Sequence, residues 1–311
     1  MNIVFFGTPE FAVPALKALL DNKHQVLAVV TQPDRPCGRG RHIAYSPVKA
    51  AADAAGLRII QPDRVRDTGF IEELRKIGAD VIVTAAYGQI LPREILNMPE
   101  KGCINVHASL LPKYRGASPI SQSVINGDTE TGVTTMLMDE GMDTGDILLQ
   151  EKVEVSYTDT AGSLSRRLSV VGAELLLLTL ERLEEGGIVP KPQAGEVSFA
   201  PLLKKSDAII QWERTAIDLY NFIRGMNPWP CAYTFLEGDM IKILRSERMD
   251  GEAEAGVVSM VTKKEIFVGT GKGLLSILEV QAPGKRPMDI KAFLQGRRIH
   301  EGVRFNDKPA A

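Results

Sequence analysis

Two polar side chains suited to carbonyl chemistry lie two residues apart, Asn105 and His107, in the run CINVHASLLP at 103–112. The run predicts a strand that enters a loop, and residues two apart on a strand point to the same face. An amide N–H can stabilise a tetrahedral oxyanion while a neighbouring imidazole moves a proton. Spacing alone leaves a second interpretation open, because a single histidine near a strand end is equally compatible with an ordinary core residue.

A carboxylate is the third group that this chemistry would use. The nearest candidate is Asp143, in the acidic stretch DEGMDTGD at 139–146, which follows a predicted strand at 132–138. Asp and Gly residues also form turns, and acidic loops also bind calcium. The stretch lacks the ligand spacing and the terminal glutamate of an EF-hand loop, so a calcium loop is the weaker interpretation.

The elements that must position these groups alternate between apolar strand-like runs and helical segments. A Ser46-Pro47 pair is typical of a helix start and predicts a helix to Ala55, and a second helix is predicted at 67–77. The predicted strands are 2–6, 25–31, 57–60, 80–85 and 103–107. This alternation predicts an α/β fold with a doubly wound, mostly parallel, Rossmann-like sheet, whose ligands gather at the carboxyl ends of the strands.

The pattern changes after a long Leu-rich helix predicted at 160–185. Residues 188–205 contain three prolines and little periodicity, which is typical of a linker. A helix predicted at 215–226 is then followed by strands at 233–244, 256–261, 265–269 and 274–280. Short strands separated by Gly-containing turns predict a small, OB-like β-barrel. We therefore predict domains at 1–187 and 206–311, joined by a linker at 188–205.

Composition limits the classes of function. The formal net charge of −2 gives no overall attraction to a polyanion, so nucleic-acid binding would need local basic patches. The three cysteines form no CxxC pair, which argues against a zinc site or a disulfide framework. No segment reaches the roughly 18 apolar residues of a membrane span. We therefore expect a cytoplasmic protein with no membrane partner and no metal.

Three short sequence motifs, taken together, indicate one class of enzyme. Asn-x-His-x-Ser-Leu-Leu-Pro, followed by Arg115-Gly116 and by Asp143-Thr144-Gly145, resembles the signature of formyltransferases that use 10-formyltetrahydrofolate as co-substrate. The resemblance implies that Asn105, His107 and Asp143 are catalytic. It also implies a folate pocket lined by Ser109, Leu110, Leu111, Pro112, Asp139, Glu140, Gly141, Met142 and Thr144.

Three other strings resemble the branch of that family that acts on methionyl-tRNA: FGTP at 6–9, TQPDRP at 31–36 and AYGQILP at 86–92. The resemblance implies a monomer that formylates initiator methionyl-tRNA for translation initiation. The alternative within the family is an amino-sugar nucleotide as acceptor. A nicotinamide oxidoreductase is disfavoured because Gly7-Thr8-Pro9-Glu10 lacks the GxGxxG turn that binds a pyrophosphate.

Basic residues are concentrated in two segments. Residues 34–49 carry four cations and one acid around Gly-Arg-Gly-Arg, and residues 285–298 carry five cations and one acid. A Gly-rich basic loop can follow a phosphate backbone closely, and a basic barrel face offers a tRNA surface, although both can also be solvated faces. The predicted tRNA-binding residues are Arg35, Arg39, Arg41, Lys285, Arg286, Arg297 and Arg298.

Overall fold

The computed structural model describes residues 1–22, 24–37 and 42–308. The chain divides into two compact units, and neither unit is one uninterrupted stretch. The first unit comprises Met1–Pro119, Glu130–Glu154 and Ser165–Pro201, and the second comprises Ile120–Thr129, Val155–Leu164 and Leu202–Ala311. Two short segments that precede residue 165 are therefore counted with the second unit. The domain limits drawn from the sequence stay a prediction.

The first unit is built on a seven-stranded sheet. Its strands are β1 (Asn2–Gly7), β2 (Gln25–Val30), β5 (Ile59–Ile60), β6 (Val81–Ala85), β7 (Cys103–His107), β8 (Glu130–Leu137) and β9 (Ile147–Glu154). Their order across the sheet is β5-β2-β1-β6-β7-β8-β9. The strands from β5 to β7 run parallel to one another. Strand β8 pairs antiparallel with β7, and β9 pairs antiparallel with β8. The predicted doubly wound, mostly parallel sheet is confirmed. Strand β9 is not predicted from the sequence, and its largely exposed side chains are typical of an edge strand.

α-Helices lie between the strands of this sheet along the chain, and the longest one follows its last strand. They are α1 (Val13–Asp21), α2 (Pro47–Ala54), α3 (Thr68–Ile77), α4 (Arg93–Leu96), α5 (Pro119–Ile125) and α6 (Ala161–Glu184). The N-cap predicted for α2 is present, because the Ser46 hydroxyl oxygen accepts the Lys49 N–H at 3.0 Å. The Leu-rich face of α6 is core, with Leu168, Leu176 and Leu180 fully buried.

The close approach of α6 to the strand that carries the candidate site depends on a glycine. A Cβ atom on Gly172 would lie 3.0 Å from the Val106 side chain of β7 and 3.4 Å from Val133 of β8. A larger residue would therefore force the helix and the sheet apart or displace these valines. The absence of a side chain at Gly172 therefore lets α6 pack closely against β7 and β8.

The second unit contains a curled antiparallel sheet. Its elements are α7 (Ala216–Gly225), β10 (Tyr233–Leu236), β11 (Asp239–Met249), β12 (Val258–Val261), β13 (Ile266–Gly269), β14 (Leu274–Gln281), β15 (Met288–Asp289), α8 (Ile290–Gly296) and β16 (Phe305–Asn306). The order is β12-β13-β14-β11-β10-β16. Val257 pairs with Arg304, next to β12 and β16 respectively, and this closes the sheet. The predicted small β-barrel is thereby confirmed.

One strand prediction in this unit was wrong. The stretch 233–244 was predicted as one strand, but β10 and β11 form a hairpin in which Leu236 pairs with Asp239. Its two turn residues, Glu237 and Gly238, both have positive φ, at 51° and 88°. A two-residue turn of this type suits the right-handed twist of a hairpin. The turn is only two residues long and apolar residues resume soon after it, so the pattern predicts one strand.

The described residues of the basic segment 34–49 include two short strands. Strands β3 (Arg35–Cys37) and β4 (His42–Ala44) pair antiparallel as a small separate ribbon. The Gly-Arg-Gly-Arg stretch, with the predicted Arg39 and Arg41, joins them and lies outside the described residues. In the part of the chain that the structure describes, no helix is both long and apolar enough to cross a bilayer.

Candidate active site

The candidate site lies at the carboxyl end of β7, where the parallel part of the sheet meets its antiparallel edge. Asn105 is opposite Thr84 of β6, and His107 is opposite Thr134 of β8. Pairing on both sides fixes the backbone of β7, so the two side chains are displayed from a rigid element. This placement follows the sequence expectation.

The amide of Asn105 has a defined orientation. Its Oδ1 accepts the Thr84 hydroxyl at 2.8 Å, and its Nδ2 is 3.4 Å from Oδ1 of Asp143. Because the carbonyl side of the amide is held by Thr84, the N–H side faces the carboxylate. The amide is thus available to a developing negative charge on that side.

His107 is buried, with 5% of its surface exposed, and its two ring nitrogens face different partners. Nε2 is 3.0 Å from the backbone carbonyl of Tyr114. A carbonyl only accepts, so Nε2 carries the hydrogen in this contact. Nδ1 is 3.7 Å from Oδ2 of Asp143.

Burial lowers the pKa of His107, opposed in part by the negative charge of Asp143 and by the Tyr114 carbonyl. The resting form at neutral pH is therefore the neutral imidazole. Since Nε2–H is bound to Tyr114, the unprotonated Nδ1 faces Asp143.

Asp143 completes the cluster from a loop 38 residues further along the chain than Asn105. Its Oδ2 accepts the Gly116 N–H at 2.8 Å, and its backbone has φ 53°, in the left-handed region. That region is unfavourable for a non-glycine residue and is most often seen at functional loops. The structure brings together the three residues whose catalytic role the sequence predicts.

The predicted folate loop at 109–112 is tied to the neighbouring strands. The Ser109 hydroxyl donates to the Lys113 carbonyl at 2.6 Å, and Thr134 donates to the Ser109 carbonyl at 2.7 Å and accepts the Leu111 N–H at 3.1 Å. Gln150 Nε2 donates to the Leu111 carbonyl at 2.9 Å. Ser109, Leu111 and Pro112 are buried and Leu110 is half-buried, so the hydroxyl of Ser109 is used to shape the loop.

The predicted acidic loop at 139–144 is held differently. Asp139 Oδ1 accepts the Gly141 N–H at 3.0 Å and the Thr144 hydroxyl at 2.6 Å, which closes the loop on itself. Glu140 forms an ion pair with Arg93 at 2.8 Å. Met142 is 58% exposed. An open depression of about 360 Å³ borders this loop and is lined by Arg66, Ile71, Ile90, Leu91, Pro92, Arg93, Glu94 and Glu140.

Several groups at the site escaped the sequence analysis. Thr84 orients Asn105, the Tyr114 carbonyl orients His107, and the Gly116 N–H binds Asp143. Gln193 donates to the backbone carbonyls of Asp143 and Gly145. Arg115-Gly116 was noted only as part of a motif, and no sequence signal marks backbone groups or a glutamine 50 residues away.

The predicted tRNA-binding residues have varied surroundings. Arg35, which lies on β3, is exposed. Lys285, Arg286 and Arg298, which lie in the second unit, are exposed as well. Arg297 is 20% exposed and forms ion pairs with Glu237 and Asp239, both at 2.9 Å. It also donates to the Leu236 carbonyl at 3.1 Å.

Lys49, which contributes to the positive charge of 34–49, is paired with Asp34 and lies 4.0 Å over the Tyr45 ring. The ion pair cancels the two charges locally. The excess positive charge of this segment is therefore carried by its arginines.

Comparison with known protein families covers most of the chain. Residues 1–180 match the family described as "Formyl transferase", and residues 202–298 match "Formyl transferase, C-terminal domain". The buried His107 with its amide and carboxylate neighbours lies within the first match. The chain belongs to the formyl transferase family.

Within this family, the chain is similar over nearly its full length to proteins of one named activity. A methionyl-tRNA formyltransferase of Thermodesulfovibrio yellowstonii is 50% identical over 97% of this chain and 98% of its own length. One from Pelotomaculum thermopropionicum is 51% identical over the same shares. A solved sugar 3N-formyl transferase, crystallised in the presence of dTDP and 5-N-formyl-THF, has a TM-score of 0.68 at 19% identity and covers 92% of this chain and 99% of its own. The last likeness concerns the fold alone.

Proposed function

We propose that this enzyme transfers the formyl group of 10-formyltetrahydrofolate to the free α-amine of initiator methionyl-tRNA, the step that prepares the initiator for translation. The observation that supports it most is the convergence of the Asn105 amide, the His107 imidazole and the Asp143 carboxylate at one end of β7. The acceptor is inferred from full-length relatives at about half identity, which are named methionyl-tRNA formyltransferases.

The amine nitrogen attacks the formyl carbon, and the carbonyl electron pair moves onto the oxygen. We assign the Asn105 Nδ2–H to this oxyanion, because Thr84 holds the amide with its N–H side toward the site. A donor fixed before the reaction stabilises developing charge without reorganising. Collapse of the tetrahedral intermediate breaks the bond between the carbon and N10 and leaves tetrahydrofolate and formylmethionyl-tRNA.

Proton transfer is assigned to His107. An α-amine has an ordinary pKa of about 7.7–8.0, so a useful neutral fraction is present near pH 7. After attack, the nitrogen must lose a proton and N10 must gain one. The neutral Nδ1 of His107 can accept the first proton, and the resulting imidazolium can deliver it to N10.

Asp143 faces Nδ1 of His107, the ring nitrogen to which proton transfer is assigned, and not Nε2. The orienting position on the far ring nitrogen is taken by the Tyr114 carbonyl. We therefore assign Asp143 to stabilising the imidazolium and to holding the amine by accepting a hydrogen bond. In this scheme no metal is needed, because the amide stabilises the oxyanion and the carboxylate stabilises the imidazolium.

The folate co-substrate is proposed to lie between the loop 109–112 and the acidic loop 139–144, as the family resemblance implies. The tied backbone of the first loop provides a rigid wall. The exposed Met142 provides apolar surface beside it. The pocket residues that the resemblance implies stay a prediction that folate titration of single variants can check.

We propose that the tRNA is held by Arg35, Arg39 and Arg41 in the first unit and by cations of the barrel in the second. The exposed side chains of Arg35, Lys285, Arg286 and Arg298 suit contact with phosphates. The paired Arg297 suits it less. A monomer working in the cytoplasm is the accompanying proposal, and it rests on the resemblance and the cysteine pattern.

The test is an acceptor panel. The enzyme is incubated with 10-formyltetrahydrofolate and, separately, methionyl-tRNA, glycinamide ribotide and an amino-sugar nucleotide, and the products are weighed by mass spectrometry. Formylation of methionyl-tRNA at least a hundredfold faster than of the other amines is expected. Preference for the amino-sugar nucleotide would establish the alternative acceptor, and absence of transfer to every amine would overturn the proposal.

A further inference from the structure

The segment that follows α6 runs back along the loops of the candidate site. Lys191 and Ile147 exchange both backbone hydrogen bonds, at 2.8 and 2.9 Å. Further on, the Ser198 carbonyl accepts the Arg115 N–H at 2.9 Å, and the Ala200 N–H donates to the Arg115 carbonyl at 2.8 Å. We call residues 191–200 the brace. It contacts the loop after β7 and the loop before β9.

Gln193 in the brace joins these two loops through one side chain. Its Nε2 donates to the carbonyls of Asp143 and Gly145, each at 2.8 Å. Its Oε1 accepts from Arg115 Nε at 3.1 Å and Nη2 at 2.7 Å. Both donors and the acceptor of the amide are therefore used. A half-buried side chain with every polar atom bonded holds its partners at fixed distances.

Two residues that the brace binds, Asp143 and Tyr114, have backbone conformations that are unfavourable for a non-glycine residue. Asp143 has φ 53° and Tyr114 has φ 61°. Gln193 binds the carbonyl of the first, and the Ser198 hydroxyl accepts the N–H of the second at 2.9 Å. Left-handed conformations at non-glycine residues persist only where surrounding contacts impose them.

Both strained residues also contact His107. Asp143 faces its Nδ1, and the Tyr114 carbonyl binds its Nε2. The brace therefore acts on both sides of the imidazole through these two residues. The geometry points to Gln193 as a positioning residue that holds Asp143 against His107 for formyl transfer. The inference rests on the proposed catalytic role of these two residues.

Two variants separate the interactions of Gln193. Gln193→Ala removes all of them, whereas Gln193→Glu keeps an acceptor for Arg115 but loses both N–H donors. If the donors position Asp143, both variants lower kcat by about tenfold to a hundredfold, the effect of a small misplacement of a reacting group. The KM for the amine acceptor and the folate affinity stay within about threefold of wild type.

The pH profile supplies a readout that loss of folding does not produce. Asp143 raises the pKa of His107, and the other groups that act on the imidazole are burial and the Tyr114 carbonyl. Displacing the carboxylate therefore lets the pKa of His107 fall. The acid limb of kcat should move to lower pH in both Gln193 variants, because the imidazole then stays neutral further into acid.

Glu196→Ala is the matched control, since Glu196 is an exposed residue of the same segment. It should retain wild-type kcat and pH profile. Thermal unfolding of each variant identifies any that is unfolded, and Gln193→Glu, which is close in size, serves if Gln193→Ala does not fold. A kcat within twofold of wild type for a folded Gln193 variant would overturn the inference, as would a loss confined to KM.

The comparison uses whichever amine the wild-type enzyme formylates. A wrong acceptor assignment therefore does not count against Gln193. If His107→Ala retained activity while the Gln193 variants lost it, the catalytic assignment would fail separately.

Discussion

The two regions that the family resemblance makes functional differ in how their side chains are held. At the end of β7, the polar groups of Asn105, His107 and Asp143 each have at least one partner from another segment, and His107 is buried. In the second unit, Lys285, Arg286 and Arg298 are exposed. Catalysis needs groups that are fixed before the reaction, whereas attraction to a phosphate backbone acts over about 10 Å and tolerates mobile side chains.

This contrast predicts that substitutions in the two regions affect different kinetic quantities and respond differently to salt. A change at the site should act on kcat and should depend little on salt, because the groups are shielded from solvent. A change among the exposed cations should act on tRNA affinity and should depend strongly on salt.

The largest effect is expected for the two residues of β7. Asn105→Ala removes the oxyanion donor and His107→Ala removes the proton carrier, so each should lower kcat by about 10²–10³-fold. Single-turnover formylation at saturating substrates measures this. Folate affinity and thermal unfolding serve as controls for folding. Steady-state rates within a few-fold of wild type for either soluble variant would end the catalytic assignment.

A somewhat smaller loss is expected for Asp143→Asn, which keeps the size of the side chain but removes its charge. We expect kcat to fall by about 10²-fold, because the imidazolium loses its counter-charge. The wild-type acid limb should lie below the ordinary histidine pKa of about 6.5, since burial lowers the pKa of His107. In the variant the limb should lie lower still.

The pH dependence of kcat checks both parts of that prediction. An acid limb that moved to higher pH would contradict the assignment of Asp143 as the neighbouring charge. Normal turnover together with calcium-dependent stability would instead make the loop at 139–146 a structural ion site.

In the basic segment 34–49, Arg39→Ala should lower kcat/KM for methionyl-tRNA by about tenfold or more and leave folate affinity unchanged. Lysine should restore activity only in part, because an ammonium lacks the planar fork of a guanidinium. Loss of one phosphate contact should also reduce the salt slope of log Kobs by about one. Equal values for wild type, Arg39→Lys and Arg39→Ala across salt concentrations would make this residue a solvated bystander.

The smallest effect separates two adjacent arginines of the second unit. Arg298→Ala should weaken tRNA binding a few-fold and lower the salt slope by about one. Arg297→Ala should change the slope less, because Glu237 and Asp239 already neutralise this guanidinium. Its main effect should be on unfolding, by about 1 kcal/mol at most, since the two carboxylates are largely exposed. Equal salt slopes for the two variants would show that the ion pairs do not withhold Arg297 from the tRNA.

The sequence by itself determined the order of most elements and one half of the candidate site. Alternating apolar runs and a Ser46-Pro47 cap predicted the sheet and α2, because such signals act over a few residues. The spacing of Asn105 and His107 was enough to place them on one face of β7, since strand geometry repeats every two residues. The hairpin at Glu237-Gly238 was missed because its turn is only two residues long and apolar residues lie close on both sides of it.

Only the tertiary structure decided how the site is completed. Asp143, the Tyr114 carbonyl and Gln193 meet His107 or its neighbours through hydrogen bonds between segments that are distant along the chain. Whether such bonds form depends on loop conformation and on strand register, and neither leaves a local pattern in the sequence. The same reason explains Arg297, whose ion pairs with Glu237 and Asp239 leave no sign in the sequence.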